Sequence, residues 1–215
     1  MQNFDFCSPT ELVFGRGVET EIGTRLARRF PGGKVFLVYG GGSIKRTGLY
    51  DRVKQSLLDA GLSVREKGGV HPNPEVGFIR ELIAEAREWR PDVLLAVGGG
   101  SVIDTVKAAS MGIPYDGDVW DFFIGRAVCE KATPISVILT IPAAGSELSM
   151  RVVVTNGEKK LGTASQHIRS FMSLIDPELF FTLPAVQAAS GVVDMMSHIM
   201  ERYFTNTSDT GFIDG

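Results

Sequence analysis

Two glycine triplets stand where phosphate is bound by backbone rather than by side chains. Val97-Gly98-Gly99-Gly100-Ser101-Val102-Ile103-Asp104 sets three glycines between an apolar run and a segment of helical period. At such a junction unpaired N–H groups and the positive end of the helix dipole attract an anion, and glycine lets a pyrophosphate approach the main chain. Ser101 could cap the helix or bond phosphate, and Asp104 could accept N–H bonds from the loop or hold a ribose hydroxyl. A tight turn closed by an N-cap explains the same residues without a ligand. The second triplet, Tyr39-Gly40-Gly41-Gly42-Ser43-Ile44-Lys45-Arg46, follows another apolar run, carries two cations and lacks the acidic residue that would grip a free 2′-hydroxyl. Lys45 and Arg46 suit a 2′-phosphate, which favours NADP(H) over NAD(H); a solvated Lys-Arg pair on a loop is the alternative. Asp194 and His198 stand i, i+4 apart, so a carboxylate and an imidazole share one helix face and can converge on one ion. A surface ion pair is the commoner use of that spacing. Oxygen and nitrogen donors without sulfur suit Fe²⁺, Mn²⁺ or Zn²⁺ alike.

Each triplet needs a strand before it and a helix after it. Residues 35–39 read as a buried strand, and 48–60 as a helix with Leu49, Val53 and Leu57 on one face and Gly61 as its stop. A strand at 62–66 follows, then a helix over 75–89 with Phe78, Ile79, Leu82, Ile83 and Ala86 inward, a strand at 92–97 and a helix over 101–111. This alternation predicts an α/β fold, a Rossmann-like parallel sheet covered on both faces. Further strands are expected at 136–141 and 171–175, with a hairpin from Arg151 to Ala164 turning at Asn156-Gly157. From 184 to 203 the period is helical, with an interruption expected at Gly191, and a polar run follows Thr205. The expected division is a dinucleotide-binding α/β domain over 1–183 and the beginning of an all-helical domain over 184–215. The segment 4–15 reads as an edge strand, pairing across subunits or closing its own sheet.

With 22 Lys and Arg against 25 Asp and Glu, the net charge of −3 and 44% hydrophobic content describe an ordinary globular chain. So few cations speak against nucleic acid as a partner. Cys7 and Cys129 are far apart, with no C-x-x-C spacing, which argues against a thiolate metal knuckle or a disulfide framework and for a reducing, cytoplasmic setting. No basic-then-apolar leader opens the sequence and no apolar run nears about 18 residues, so no membrane association is expected.

Joined by Pro72-Asn73-Pro74, by Leu139-Thr140-Ile141-Pro142-Ala143-Ala144-Gly145-Ser146-Glu147 and by the run from Gly191 to Glu201, the two turns give the chain a close resemblance to the iron-containing (group III) alcohol dehydrogenases. The butanol dehydrogenase-like, NADP-dependent branch is nearest, from the "TELVFG" at Thr10 to Thr205. The resemblance implies a dehydroquinate synthase-like fold, with a cleft between α/β and helical domains that holds Fe²⁺ or Zn²⁺. It implies hydride transfer between NADP(H) and a small alcohol or aldehyde, with the metal as Lewis acid, usually in a homodimer. By motif, Gly98, Gly99, Gly100, Ser101 and Asp104 would contact pyrophosphate, and Gly40, Gly41, Gly42, Ser43 and Lys45 the adenosine phosphate. Thr140 would contact the cofactor, Lys160 would lie near the nicotinamide ribose, and Asp194 and His198 would be the first two metal ligands. The family's two further histidine ligands fall beyond Gly215, whereas His71 and His167 stand outside the ligand motif and are expected in core or surface roles. Weak metal affinity is therefore expected of this chain by itself, and the complete activity of a longer parent. Val192, Val193, Met195, Met196, Ile199, Met200, Tyr203 and Phe204 would lack cover, so a truncated product or a covering partner chain is expected. Two other readings remain: a non-catalytic nucleotide-binding half-domain, and a metal-dependent polyol dehydrogenase or synthase of the same fold.

Overall fold

The computed structural model describes residues 7–204. In chain order the elements are β1 (Glu11–Phe14), α1 (Ile22–Arg29), β2 (Lys34–Gly40), α2 (Ser43–Arg46), α3 (Leu49–Asp59), β3 (Ser63–Val70), α4 (Val76–Trp89), β4 (Val93–Gly98), α5 (Gly100–Gly112), β5 (Ile135–Leu139), β6 (Arg151–Asn156), β7 (Lys159–Ala164), β8 (Met172–Ile175) and α6 (Ala185–Tyr203). Six strands form one parallel sheet in the order β1-β8-β5-β4-β2-β3, and β6 and β7 form a separate antiparallel pair.

Side-chain alternation decides which helix covers which face. Val35, Leu37 and Tyr39 of β2, with Val93, Leu95 and Val97 of β4, pack against Ile22 and Leu26 of α1 and Leu49, Val53 and Leu57 of α3. Their alternates Phe36, Val38, Leu94 and Ala96 pack against α4 and α5 through Ile79, Leu82, Ile103 and Val106. Apolar residues on both faces suit β2 and β4 to the centre of a sheet covered twice. The chain leaves β2 toward one face and β4 toward the other, so the strand order reverses between them and a crevice opens at their C-terminal ends.

Three sequence expectations need amendment. Helix α1 was missed: its inward face reduces to Ile22 and Leu26, and Gly23 sits so close to α3 that a Cβ there would lie 1.8 Å from the Ser56 carbonyl oxygen. Strand β3 runs on to Val70, because an edge strand held by backbone bonds to β2 tolerates the charged stretch Arg65-Glu66-Lys67. Helix α6 continues through Gly191 without a break. That glycine is buried where the helix meets a loop, and a Cβ would stand 2.6 Å from the Pro142 carbonyl oxygen, so close approach rather than interruption accounts for it. Strand β1 pairs with β8 within the chain's own sheet. Residues 4–6 of the expected edge strand and the polar run after Thr205 lie outside the described residues. Among the described residues no helix is long and apolar enough to cross a membrane.

Candidate functional site

Tyr39 and Val97 are paired in register, so the two glycine turns leave the sheet side by side. Together they line a groove of about 170 Å³ that includes Gly40, Ser43, Gly98, Gly99, Gly100, Ser101 and Thr140. A larger cavity of about 670 Å³ adjoins it, sharing Ser43, Ile44, Thr140 and Ile141 and walled further by Arg46, Leu179 and Leu183. No side chain caps α5, whose N-cap is Gly99, so Ser101 sits in the first turn, where its carbonyl accepts the Thr105 hydroxyl, instead of capping the helix. A Cβ on Gly98 would come within 2.4 Å of Val102, and one on Gly99 within 3.0 Å of Ile141, whereas Gly100 faces open space. Gly42, with φ 110°, turns the other loop into α2. The N–H of Thr140 donates to the Gly98 carbonyl at 3.1 Å and ties the third wall to the first.

Asp104 does not line the groove. Its Oδ1 accepts the Ser146 hydroxyl at 2.8 Å and its Oδ2 the Val153 N–H at 3.1 Å, linking α5 to the Gly145-Ser146-Glu147 loop and to β6. Burial pushes its carboxyl up, against the Ser146 hydroxyl, the Lys107 charge and the Val153 N–H, which pull it down. One turn on, the buried Lys107 ammonium donates to the carbonyls of Ser146, Ser149 and Arg151 at 2.6, 2.8 and 2.9 Å, and burial pushes its pKa down to about 8. Sequence reasoning missed Lys107. The available signal was a lysine within an otherwise apolar helix, three residues past an aspartate.

Lys160 also stands away from the groove lining. Its ammonium donates to Asn73 Oδ1 at 2.8 Å, and the Thr155 N–H donates to the Pro74 carbonyl at 2.8 Å, so the β6–β7 hairpin is clipped to the Pro72–Pro74 loop. Asn73 adopts a left-handed φ of 58° in making this clip. Lys45 lies over the rings of Tyr39 and Tyr50. Glu19, only 2% exposed, pairs with Arg52 at 3.0 Å beside the cavity, an ion pair with no motif to announce it. The structure thus brings together Gly40, Gly98, Gly99, Gly100, Ser43, Ser101 and Thr140, leaves Gly41 and Gly42 off the groove lining, and holds Asp104, Lys45 and Lys160 in contact with neighbours around it.

Asp194 and His198 share a face of α6 as their spacing requires, with Oδ1 and Nε2 3.7 Å apart, and Glu201 Oε2 lies 3.8 Å from His198 Nδ1. Both are about half exposed. Among the described residues no three His, Cys, Asp or Glu side chains come together as a metal site, and His71 and His167 are exposed elsewhere.

A protein-family model, "Iron-containing alcohol dehydrogenase", matches residues 9–177. The chain is 45% identical to the probable NADH-dependent butanol dehydrogenase 2 of Bacillus subtilis, over all of this chain and 55% of that protein. It is 36% identical to the NADPH-dependent aldehyde reductase YqhD of Escherichia coli, again over all of this chain and 55% of that one. Among solved structures, NADH-dependent butanol dehydrogenase A from Thermotoga maritima superposes with a TM-score of 0.93 at 44% identity, covering 97% of this chain and 52% of that one. The chain spans about half the length of the curated relatives it matches.

Proposed function

The chain belongs to the iron-containing alcohol dehydrogenase family, and from that membership we propose that it is the nucleotide-binding portion of an oxidoreductase acting between NADP(H) and a small alcohol or aldehyde. The observation that carries this reading is the pair of glycine turns side by side at the strand-order reversal, opening on one groove and its adjoining cavity. When bound, the nicotinamide cofactor would supply the hydride.

The chain's own residues bind and orient. Backbone N–H groups at Gly98, Gly99 and Gly100, with the α5 dipole behind them, seat the pyrophosphate, and Ser101 and Thr140 offer hydroxyls beside it. Gly40, Gly41, Gly42 and Ser43 receive the adenosine end, which the larger cavity houses. Asp104 and Lys107 hold the Ser146–Arg151 loop against α5, while the β4–β5 pairing keeps Thr140 against Gly98. Lys160, bonded to Asn73, would lie near the nicotinamide ribose by family motif. NADP(H) is favoured by the cations after the second turn, although relatives carry names of both kinds.

Asp194 and His198 would offer two donors to Fe²⁺ or Zn²⁺, with residues from 184 onward as the start of a helical unit. Among the described residues, two donors do not make a closed or catalytic divalent site. A second reading, a nucleotide-binding half without turnover, needs the glycine turns alone. Fluorescence titration with NADPH and NADH, followed by an aldehyde-reduction assay with added Fe²⁺ or Zn²⁺, separates the possibilities. NADPH binding tighter than NADH supports the proposal, binding without turnover supports the second reading, and binding of neither nucleotide sinks both.

A further inference from the structure

We propose that Arg46, and not its neighbour Lys45, is the cation that distinguishes NADP(H) from NAD(H), while Lys45 is a positioning residue that braces the second glycine turn. The inference rests on the nucleotide-binding reading above and assigns the specificity of that same site. Adjacent in sequence, the two cations part in space. The Lys45 ammonium lies 5.0 Å from the ring centroid of Tyr39 and 4.7 Å from that of Tyr50, whose rings meet edge to face at 5.5 Å. Both hydroxyls donate to Glu66, from Tyr50 at 2.5 Å and from Tyr39 at 3.3 Å, and Lys54 donates to the same carboxylate at 3.1 Å. Hydrogen bonds to Glu66 thus fix the two rings, and the exposed Lys45 ammonium gives up both ring faces if it turns to a phosphate.

Arg46 stands on the cavity wall with Ser43 and Thr47. The other charged groups lining that cavity are engaged: Glu19 pairs through Oε1 with Arg52 at 3.0 Å, its Oε2 being buried and without a partner among the described residues, Glu178 pairs with Arg16 at 3.2 Å, and Asp176 accepts the N–H groups of Gly17 and Glu178. The Arg46 guanidinium has no hydrogen-bond, ion-pair or ring partner among the described residues, and its planar fork matches a phosphate dianion. Glu66, the carboxylate beside the tyrosines, already accepts from Tyr39, Tyr50 and Lys54.

The test uses the full chain with Arg46→Gln and Lys45→Gln, titrated with NADPH and with NADH, and thermal midpoints to verify folding. The expected result is that Arg46→Gln weakens NADPH binding about tenfold or more, the scale of a lost charge-assisted bond, with NADH affinity nearly unchanged. Lys45→Gln is expected to weaken both nucleotides alike and mildly. Tyr50→Leu should copy Lys45→Gln, and Tyr50→Phe, which keeps the ring face and loses only the hydroxyl bonded to Glu66 and Lys54, should weaken both nucleotides less than Tyr50→Leu does. A selective NADPH loss in Lys45→Gln, or no selective loss in Arg46→Gln while the wild type binds NADPH, overturns the inference. If the wild type binds neither nucleotide, the nucleotide reading itself falls.

Discussion

Gly98 and Gly100 are two residues apart, yet a methyl group would meet different surroundings at each. At Gly98 it would press on Val102 at 2.4 Å, so Gly98→Ala is expected to cost about 1–3 kcal/mol of stability by overpacking, measurable as a lower urea midpoint. At Gly100 it would meet nothing within 4 Å, so Gly100→Ala should leave the urea midpoint near wild type and lower nucleotide affinity by filling the groove. Equal affinity in that variant would show that no phosphate uses the turn. Lys107 supplies a pH dependence. Its folded pKa of about 8 lies below the ordinary 10.5, so between those values the unfolded chain holds a proton that the folded chain has released. Stability from this group therefore rises with pH across that window. Urea midpoints at pH 7.5 and pH 10 should show that rise in wild type relative to Lys107→Met, which also loses stability at both pH values because three carbonyls lose their donor.

At the scale of elements, close approaches and clips decide where each piece sits. Helix α6 is moored at Gly191, its one buried residue, against the Pro142 carbonyl. Alanine there gains helix propensity of about 1 kcal/mol, yet its Cβ would lie 2.6 Å from that oxygen, and the clash outweighs the gain. Gly191→Ala should therefore loosen α6, read as faster amide exchange over 185–203 than in wild type; slower exchange would mean that propensity won. The β6–β7 hairpin was legible from Asn156-Gly157, and Gly157 indeed has φ 59°. Its attachment to the Pro72–Pro74 loop was not, since Lys160 and Asn73 are 87 residues apart. Lys160→Met should leave the fold intact and increase hairpin exchange rates.

For the whole molecule, the sheet is covered on both faces while α6, apart from its contact at Gly191, is left largely uncovered. Val193, Ile199 and Tyr203 are 63%, 67% and 60% exposed, and Val192, Met195, Met196, Met200 and Phe204 add to the same apolar surface. Such a surface exceeds what an isolated chain commonly leaves to water. The chain is expected to bind an apolar fluorescent dye and to self-associate at raised concentration, both reduced by Met196→Glu with Ile199→Lys. A compact monomer by light scattering, with no dye bound, would contradict this.

The strands and helices that carry the glycine turns were legible from sequence, because buried strands and amphipathic helices write their period into adjacent residues and glycine marks turns locally. So was the face of α6 that Asp194 and His198 share, set by i, i+4 spacing alone. The partners of Asp104, Lys107 and Lys160, the confinement of Lys45 by Tyr39 and Tyr50, and the mooring of Gly191 were decided only by tertiary structure. Asp104, Lys107, Lys160 and Gly191 meet partners far along the chain, at distances no local period fixes; Lys45 is a near neighbour of Tyr39 and Tyr50 in sequence, yet it reaches both rings only because β2, the glycine turn and α3 fold back on one another.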